Sequence, residues 1–320
     1  MRLSLASTAY MDLPLGEAVS RVKELGLECI DLAVDSSSRM LQLEDLLDPA
    51  RRAEVQRVLA NAGLCISAIS NHADGQLLLG PLHEVTDGIY RGTPAEKRAY
   101  AIRRMQDCAR AADALGVRLV AGFIGCPDYA RWFRWPGQED GWAPQFAQCA
   151  EVMGAVLPVY REYGVRFAHE LHPKQLVYET ESAARSLEVL GEFAEWGFNV
   201  DTGNLALAGV DAVDFIRQFA GRIWHVHAKD AEILRPVTRR HFLAHNRYYS
   251  QAERNFRFRI PGWGQLDWRR ILTELHLAGY TGDIAVENED STIGRWEGSR
   301  LALDFIRPLL LHTPRQERWW

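Results

Sequence analysis

The chain has 320 residues, 47% of them hydrophobic and 25% charged, with a formal net charge of −5. That balance fits a soluble globular protein with a large core and argues against a basic nucleic-acid-binding face. The opening M-R-L-S-L-A-S-T-A-Y holds no apolar run long enough for a signal peptide or a membrane span, so a cytoplasmic enzyme with no membrane role is expected. Five cysteines, Cys29, Cys65, Cys108, Cys126 and Cys149, form no C-x-x-C pair. They read as small core residues in a reducing compartment rather than as a metal or disulfide set.

In chain order, strand-like runs fall at 3–8, 28–34, 65–71, 117–124, 165–171, 198–203, 222–228 and 283–288. Helical patterns separate them, over Pro14–Leu25, Pro49–Ala62, Ala95–Leu115, Pro144–Tyr163, Ser182–Trp196, Asp211–Phe219, Trp268–Ala278 and Gly298–Leu311. Leu15, Ala18, Val19, Val22 and Leu25 show the i, i+3, i+4, i+7 spacing of a helix laid on a sheet. Gly26, Gly63, Gly116, Gly164 and Gly279 each follow a helical run and precede a strand, the stop signal before a return to the sheet. Eight strand–helix units without a break in composition predict a single α/β domain over 1–320, a (β/α)8 TIM barrel with extended loops on its C-terminal face. An open doubly wound sheet is the alternative, but A-S-T-A-Y after the first strand is not a glycine-rich phosphate loop.

The extended loops are His72–Pro94, Cys126–Trp142 and Ala231–Gly264, each following a strand. Their aromatic residues, among them Trp135, suit stacking on a sugar; packing in a homo-oligomer interface is the competing reading.

Four strand ends carry the chemistry. Glu170, Asp201, His227 and Glu287 are separated by 31, 26 and 60 residues, one or two strand–helix units at each step. In R-I-W-H-V-H-A-K-D (222–230), strand alternation puts His225, His227 and Lys229 on one face. Three carboxylates and one imidazole form a borderline-hard donor set, suited to Mn2+, Mg2+, Co2+ or Zn2+. Any one of the four alone reads as a buried ion pair or a hydrogen-bonded histidine. Four at equivalent strand ends point to a cation.

The motifs E-L-H-P (170–173), D-T-G-N (201–204), H-V-H-A-K-D (225–230), P-G-W-G-Q-L-D-W (261–268) and V-E-N-E-D (286–290) resemble those of the xylose isomerase-like sugar isomerase/epimerase superfamily. The resemblance implies one divalent ion, Mn2+ foremost, held by Glu170, Asp201, His227 and Glu287, with Glu170 and Glu287 doubling as acid/base groups. Asn204 stands where many relatives carry histidine. The implied reaction is proton abstraction next to a metal-bound carbonyl of a sugar or keto-sugar, through an enediolate, giving isomerisation or epimerisation. The alternative is a lyase on a keto-sugar, such as a C-glycoside deglycosidase catalytic subunit with a small partner subunit, or an inosose-type dehydratase. A sugar-binding barrel without catalysis ranks below both. A repair nuclease resembling endonuclease IV is disfavoured by the acidic balance.

His172, on the same face as Glu170, is a candidate additional base or a cap on the turn before Pro173. His72, Asn204, Lys229, Arg259 and Trp135 are the expected substrate contacts. Lys229 would neutralise an enediolate oxygen or pair with Asp230, and Arg259 would reach an anionic substrate group.

Overall fold

The computed structural model describes residues 1–129, 140–234 and 255–313. Strands β1 (Arg2–Ala6), β2 (Cys29–Ala33), β3 (Cys65–Asn71), β4 (Leu119–Gly122), β5 (Arg166–Glu170), β6 (Trp196–Asp201) and β7 (Ile223–Ala228) come first. A hairpin of β8 (Asp230–Ile233) and β9 (Phe256–Arg259) follows, and β10 (Asp283–Val286) completes the set. The strands other than the hairpin pair in parallel in the order β1-β10-β7-β6-β5-β4-β3-β2 and close on themselves. The (β/α)8 barrel read from the sequence is therefore the fold. The helices are α1 (Leu15–Glu24), α2 (Leu43–Leu47), α3 (Pro49–Ala62), α4 (Pro94–Ala114), α5 (Ala143–Glu162), α6 (Thr180–Leu190), α7 (Thr202–Ala208), α8 (Ala212–Phe219), α9 (Trp268–Leu277) and α10 (Arg295–Ile306).

Local chemistry sets the boundaries. Asp48 caps α3 by accepting from the backbone N–H groups of Ala50 and Arg51, and Thr93 with Glu96 forms a capping box on α4. At the other ends, the five glycines named above all take positive φ, between 61° and 74°. A side chain at such a position would meet the carbonyl of its own backbone. Outside the barrel, a run of rings fills the space between β5, β6 and the helices: Tyr160, Phe167, Trp196, Phe198 and Phe215 stand 5.5–6.4 Å apart in sequence. Each such buried side chain contributes on the order of 1.5–3 kcal/mol.

The ring run corrects one expected element. The helix predicted over Ser182–Trp196 stops at Leu190, and Trp196 instead begins β6, where its indole stacks on both Phe167 and His169. The helices α2 and α7 and the β8–β9 hairpin were not expected. The cysteine reading also needs correction. The first residues of β2 and β3 are in register, which brings the Cα atoms of Cys29 and Cys65 to 4.6 Å, and the two are joined as a disulfide. Cys108, Cys126 and Cys149 are buried thiols, as expected. Among the described residues no helix is long and apolar enough to cross a membrane.

Candidate active site

Adjacent strands β5, β6, β7 and β10 deliver the four candidate ligands. Glu170 and Asp201 are the last residues of β5 and β6, Asp201 is in register with His227, and Glu287 directly follows β10. One donor atom from each of the four lies within 4.8 Å of the others, and all four residues are buried. Asp201 also starts α7: its Oδ1 accepts the backbone N–H of Asn204 at 2.8 Å, leaving Oδ2 turned to the cluster.

Each ligand is held by neighbours. The Glu170 carboxylate accepts from Asn204 Nδ2 at 3.0 Å and Asn199 Nδ2 at 3.2 Å, with His72 Nε2 at 2.8 Å. Glu287 accepts from the Thr8 hydroxyl at 3.2 Å. Lys229 Nζ lies 2.8 Å from Asp201 Oδ2, 2.9 Å from Glu287 Oε2 and 2.8 Å from Glu289 Oε2, over the ring of Phe258. His227 Nδ1 stands 3.1 Å from Glu170 Oε2 and 3.4 Å from Glu287 Oε2, while its Nε2 lies 3.0 Å from Asp31 Oδ2.

This crowding sets the protonation states. Burial works to raise Glu170 and Glu287, but the facing imidazoles, and for Glu287 the Lys229 ammonium, hold both well below the usual carboxylate range. Burial works against the charged forms of Lys229 and His227, yet the surrounding carboxylates win and keep both protonated. Burial, reinforced by Glu170 and Glu287, drives Asp201 upward against the pull of Lys229. For His172 burial outweighs the pull of Glu170 and pushes its imidazole down to about 3, so it is neutral at pH 7. Its Nδ1 accepts the backbone N–H of Lys174 at 3.0 Å.

The donor set fits a divalent ion. Asp31, Glu170, Asp201 and Glu287, all buried, crowd around Lys229 and the imidazoles of His72, His225 and His227, with the half-exposed Glu289 at the edge. Asp201 Oδ2 and His227 Nδ1 are fully buried and make no hydrogen bond, although Lys229 lies beside the former. Oxygen and nitrogen atoms from four strand ends that converge on one point, held together here by Lys229 and the protonated His227, are the donor set a hard or borderline cation takes.

Above the cluster opens a cavity of about 650 Å³. Glu170 and Glu287 reach it, with His72, His172, Lys229 and Glu289; Asp201 and His227 lie behind its wall. Phe123 and Tyr129 supply aromatic lining, and Pro81, Val85 and Ile89 from the His72–Pro94 connection form one side.

A family model described as a xylose isomerase-like TIM barrel matches residues 19–309. The chain belongs to that family. The Bacillus subtilis protein YfiH is 24% identical over 96% of this chain and 98% of its own length. The inosose dehydratase of Clostridium perfringens is 27% identical over 142 residues, 44% of this chain and 46% of that protein. Among solved structures, the apo form of 3-keto-D-glucoside 4-epimerase YcjR from E. coli superposes with a TM-score of 0.67, covering 96% of this chain and 99% of that one at 14% identity. At that identity the likeness is one of fold.

Within this xylose isomerase-like barrel, the structure gathers Glu170, Asp201, His227 and Glu287 with His72, Asn204 and Lys229, while His172 lines the cavity mouth. Asn204 contacts Glu170, not the cavity. Lys229 does not pair with Asp230: that carboxylate is consumed by the N–H groups of Ala231, Gly262, Leu266 and the Trp268 indole, at 2.8–3.1 Å. The H-V-H-A-K-D and P-G-W-G-Q-L-D-W motifs are thus two halves of one hydrogen-bonded joint. Arg259 is not where an anionic substrate group would meet it; its guanidinium binds Asp290 at 2.8 Å and Glu232 at 3.1 Å, off the cavity. Trp135 lies outside the described residues. Sequence reading missed Thr8 and Asp31, while strand alternation puts Asn199 on the face of Asp201 and Glu289 on that of Glu287 without giving either a role. Of the two missed, Asp31 left a signal, a carboxylate in the otherwise apolar run C-I-D-L-A.

Proposed function

We propose that this protein is a divalent-metal-dependent sugar isomerase or epimerase, taking a proton from the carbon next to the carbonyl of a sugar or keto-sugar. The observation that carries the reading is the division within the cluster. Of four convergent donors, only Glu170 and Glu287 reach the cavity, so these two can touch a substrate while Asp201 and His227 anchor from behind. A bound divalent ion, Mn2+ foremost, would supply Lewis-acid polarisation of the carbonyl and orient the neighbouring hydroxyl.

The residues of the chain do the rest. Glu170 and Glu287 are held ionised, so either can accept the proton; the other delivers one from a different side only after it has itself taken a proton from solvent. His72 and Asn204 fix the Glu170 carboxylate, and Thr8 fixes that of Glu287. Lys229, protonated and at the cavity wall, faces the negative charge that develops on the enediolate oxygen. His172, neutral, is suited to donating a hydrogen bond to a substrate hydroxyl rather than to removing a proton.

A second reading, elimination from a keto-sugar, is favoured by the cavity. At about 650 Å³ it lies in the range that encloses drug-sized ligands, with room for a ring bearing a further substituent. Kinship with an inosose dehydratase supports the same reading. One enediolate serves both: protonation on the other face epimerises, and loss of a β-substituent eliminates. Incubating the Mn2+-loaded protein in D2O with keto-sugars and 3-keto-glycosides tests it. Solvent deuterium at the carbon beside the carbonyl is expected, and the product distinguishes the two outcomes. Absence of exchange with every substrate would refute proton abstraction.

A further inference from the structure

Asp31 has no part in the reaction outlined above, yet it is 1% exposed in the middle of β2, flanked by Cys29, Ile30, Leu32 and Ala33. A buried carboxylate in such a strand is costly unless its oxygens are satisfied. Here they are. Oδ1 accepts the Ser70 hydroxyl from β3, and Oδ2 sits 2.9 Å from His225 Nε2 and 3.0 Å from His227 Nε2, both from β7.

A carboxylate only accepts, so both facing ring nitrogens carry the hydrogen. For His227 this assigns Nε2 as the N–H and leaves Nδ1 as the other end of the ring. That Nδ1 faces two carboxylate oxygens, Glu170 Oε2 at 3.1 Å and Glu287 Oε2 at 3.4 Å. A lone pair aimed at two carboxylates is repelled unless a positive charge stands between them. In the metal-free protein a proton can serve; in the loaded protein the ion would. His225 is not a second ligand on this geometry. Its Nε2 is spent on Asp31, its Nδ1 is buried without a partner, and its ring lies edge-on to His227 at 5.2 Å.

We propose that Asp31, clamped by Ser70 and His225, is the positioning residue that fixes the His227 ring in the Nε2–H form and presents Nδ1 to the cation. The two histidines of H-V-H thus divide the work: the second binds, and the first holds the carboxylate that orients it. Carboxylates behind metal-bound histidines commonly change metal affinity about 10–100-fold. The inference rests on the metal reading above.

The test compares wild type with Asp31→Asn and with Leu32→Ala, a buried neighbour on the opposite face of β2. Zn2+ and Mn2+ affinities are measured by competition with a chelator, alongside thermal unfolding in the metal-free state. Asp31→Asn is expected to weaken binding about 10–100-fold, and Leu32→Ala to lower stability with affinity unchanged. Histidine-15N spectra of the Zn2+-loaded wild type are expected to show His227 bonded through Nδ1 with hydrogen on Nε2, a readout that needs no variant. Coordination through Nε2, wild-type affinity in Asp31→Asn, or an equal loss in Leu32→Ala overturns the role of Asp31 alone. Failure of the wild type to bind either ion overturns the metal reading and this inference together.

Discussion

Replacing Lys229 by methionine removes a buried ammonium while keeping most of the side-chain volume. Its side chain is 3% exposed, and two of its three carboxylate partners, Asp201 and Glu287, are 0% and 7% exposed. Deleting one member of a buried charge pair costs about 3–5 kcal/mol, because the remaining charges lose their partner without regaining water. Glu289, 47% exposed, adds little to that figure. With an unfolding entropy near 2.1 cal/mol/K per residue, 320 residues convert the loss into a fall in Tm of about 4–7 °C. The assay is thermal unfolding of both proteins in chelator and in Mn2+. Ion at 100 times its Kd stabilises a protein by about 2.7 kcal/mol. The variant should gain at least as much as wild type, because the ion then neutralises the same two carboxylates that lost the ammonium. Wild-type Tm for Lys229→Met in chelator would refute the view that this lysine balances the cluster.

Metal analysis of the purified chain should find about one divalent ion per subunit, and Asp201→Asn should lose it. Glu287→Gln should lower turnover by about 10²–10⁴-fold with the fold intact by circular dichroism; turnover near wild type would remove Glu287 from the acid/base pair. The metal-free protein should also show a defined pH response. Glu170 and Glu287 are depressed, so their contribution to stability is present above about 4.5 and lost as pH falls below it. For His72 burial acts downward, but Glu170 raises it above 6.5, so its contribution is full below 6.5 and fades as pH rises through the raised value. Urea midpoints across pH should therefore decline on the alkaline side, and His72→Gln should flatten the first part of that decline.

The sequence disclosed what repeats and what alternates. Eight apolar runs, helix-ending glycines and strand-end carboxylates are local signals, and the barrel follows from their count. The buried cluster was legible because Glu170, Asp201, His227 and Glu287 each lie at or just beyond the C-terminal end of a barrel strand, where a charged group has little structural reason to be. What stayed hidden depends on partners far along the chain. Asp31 meets His225 and His227 across a separation of 194–196 residues, and Arg259 is neutralised by Glu232 and Asp290 rather than by solvent or substrate. Cys29 and Cys65 meet only because β2 and β3 start in register. The seven-residue α7 escaped notice because the strand-like run reads on through Gly203, whereas Asp201 ends the strand and caps a helix from Thr202.

The joint made by Asp230 and the β8–β9 hairpin has an evolutionary corollary. Leu234 N–H donates to Asn255 O at 2.8 Å, and three of the four acceptor contacts of Asp230 secure the chain just beyond β9. Leu234 and Asn255, at the open end of the hairpin, are therefore held together, and the chain beyond β9 is tied back to Asp230, the residue after Lys229. Sequence changes in β8 and β9 that keep the Asp230 contacts would leave Lys229 and its carboxylate partners where they are.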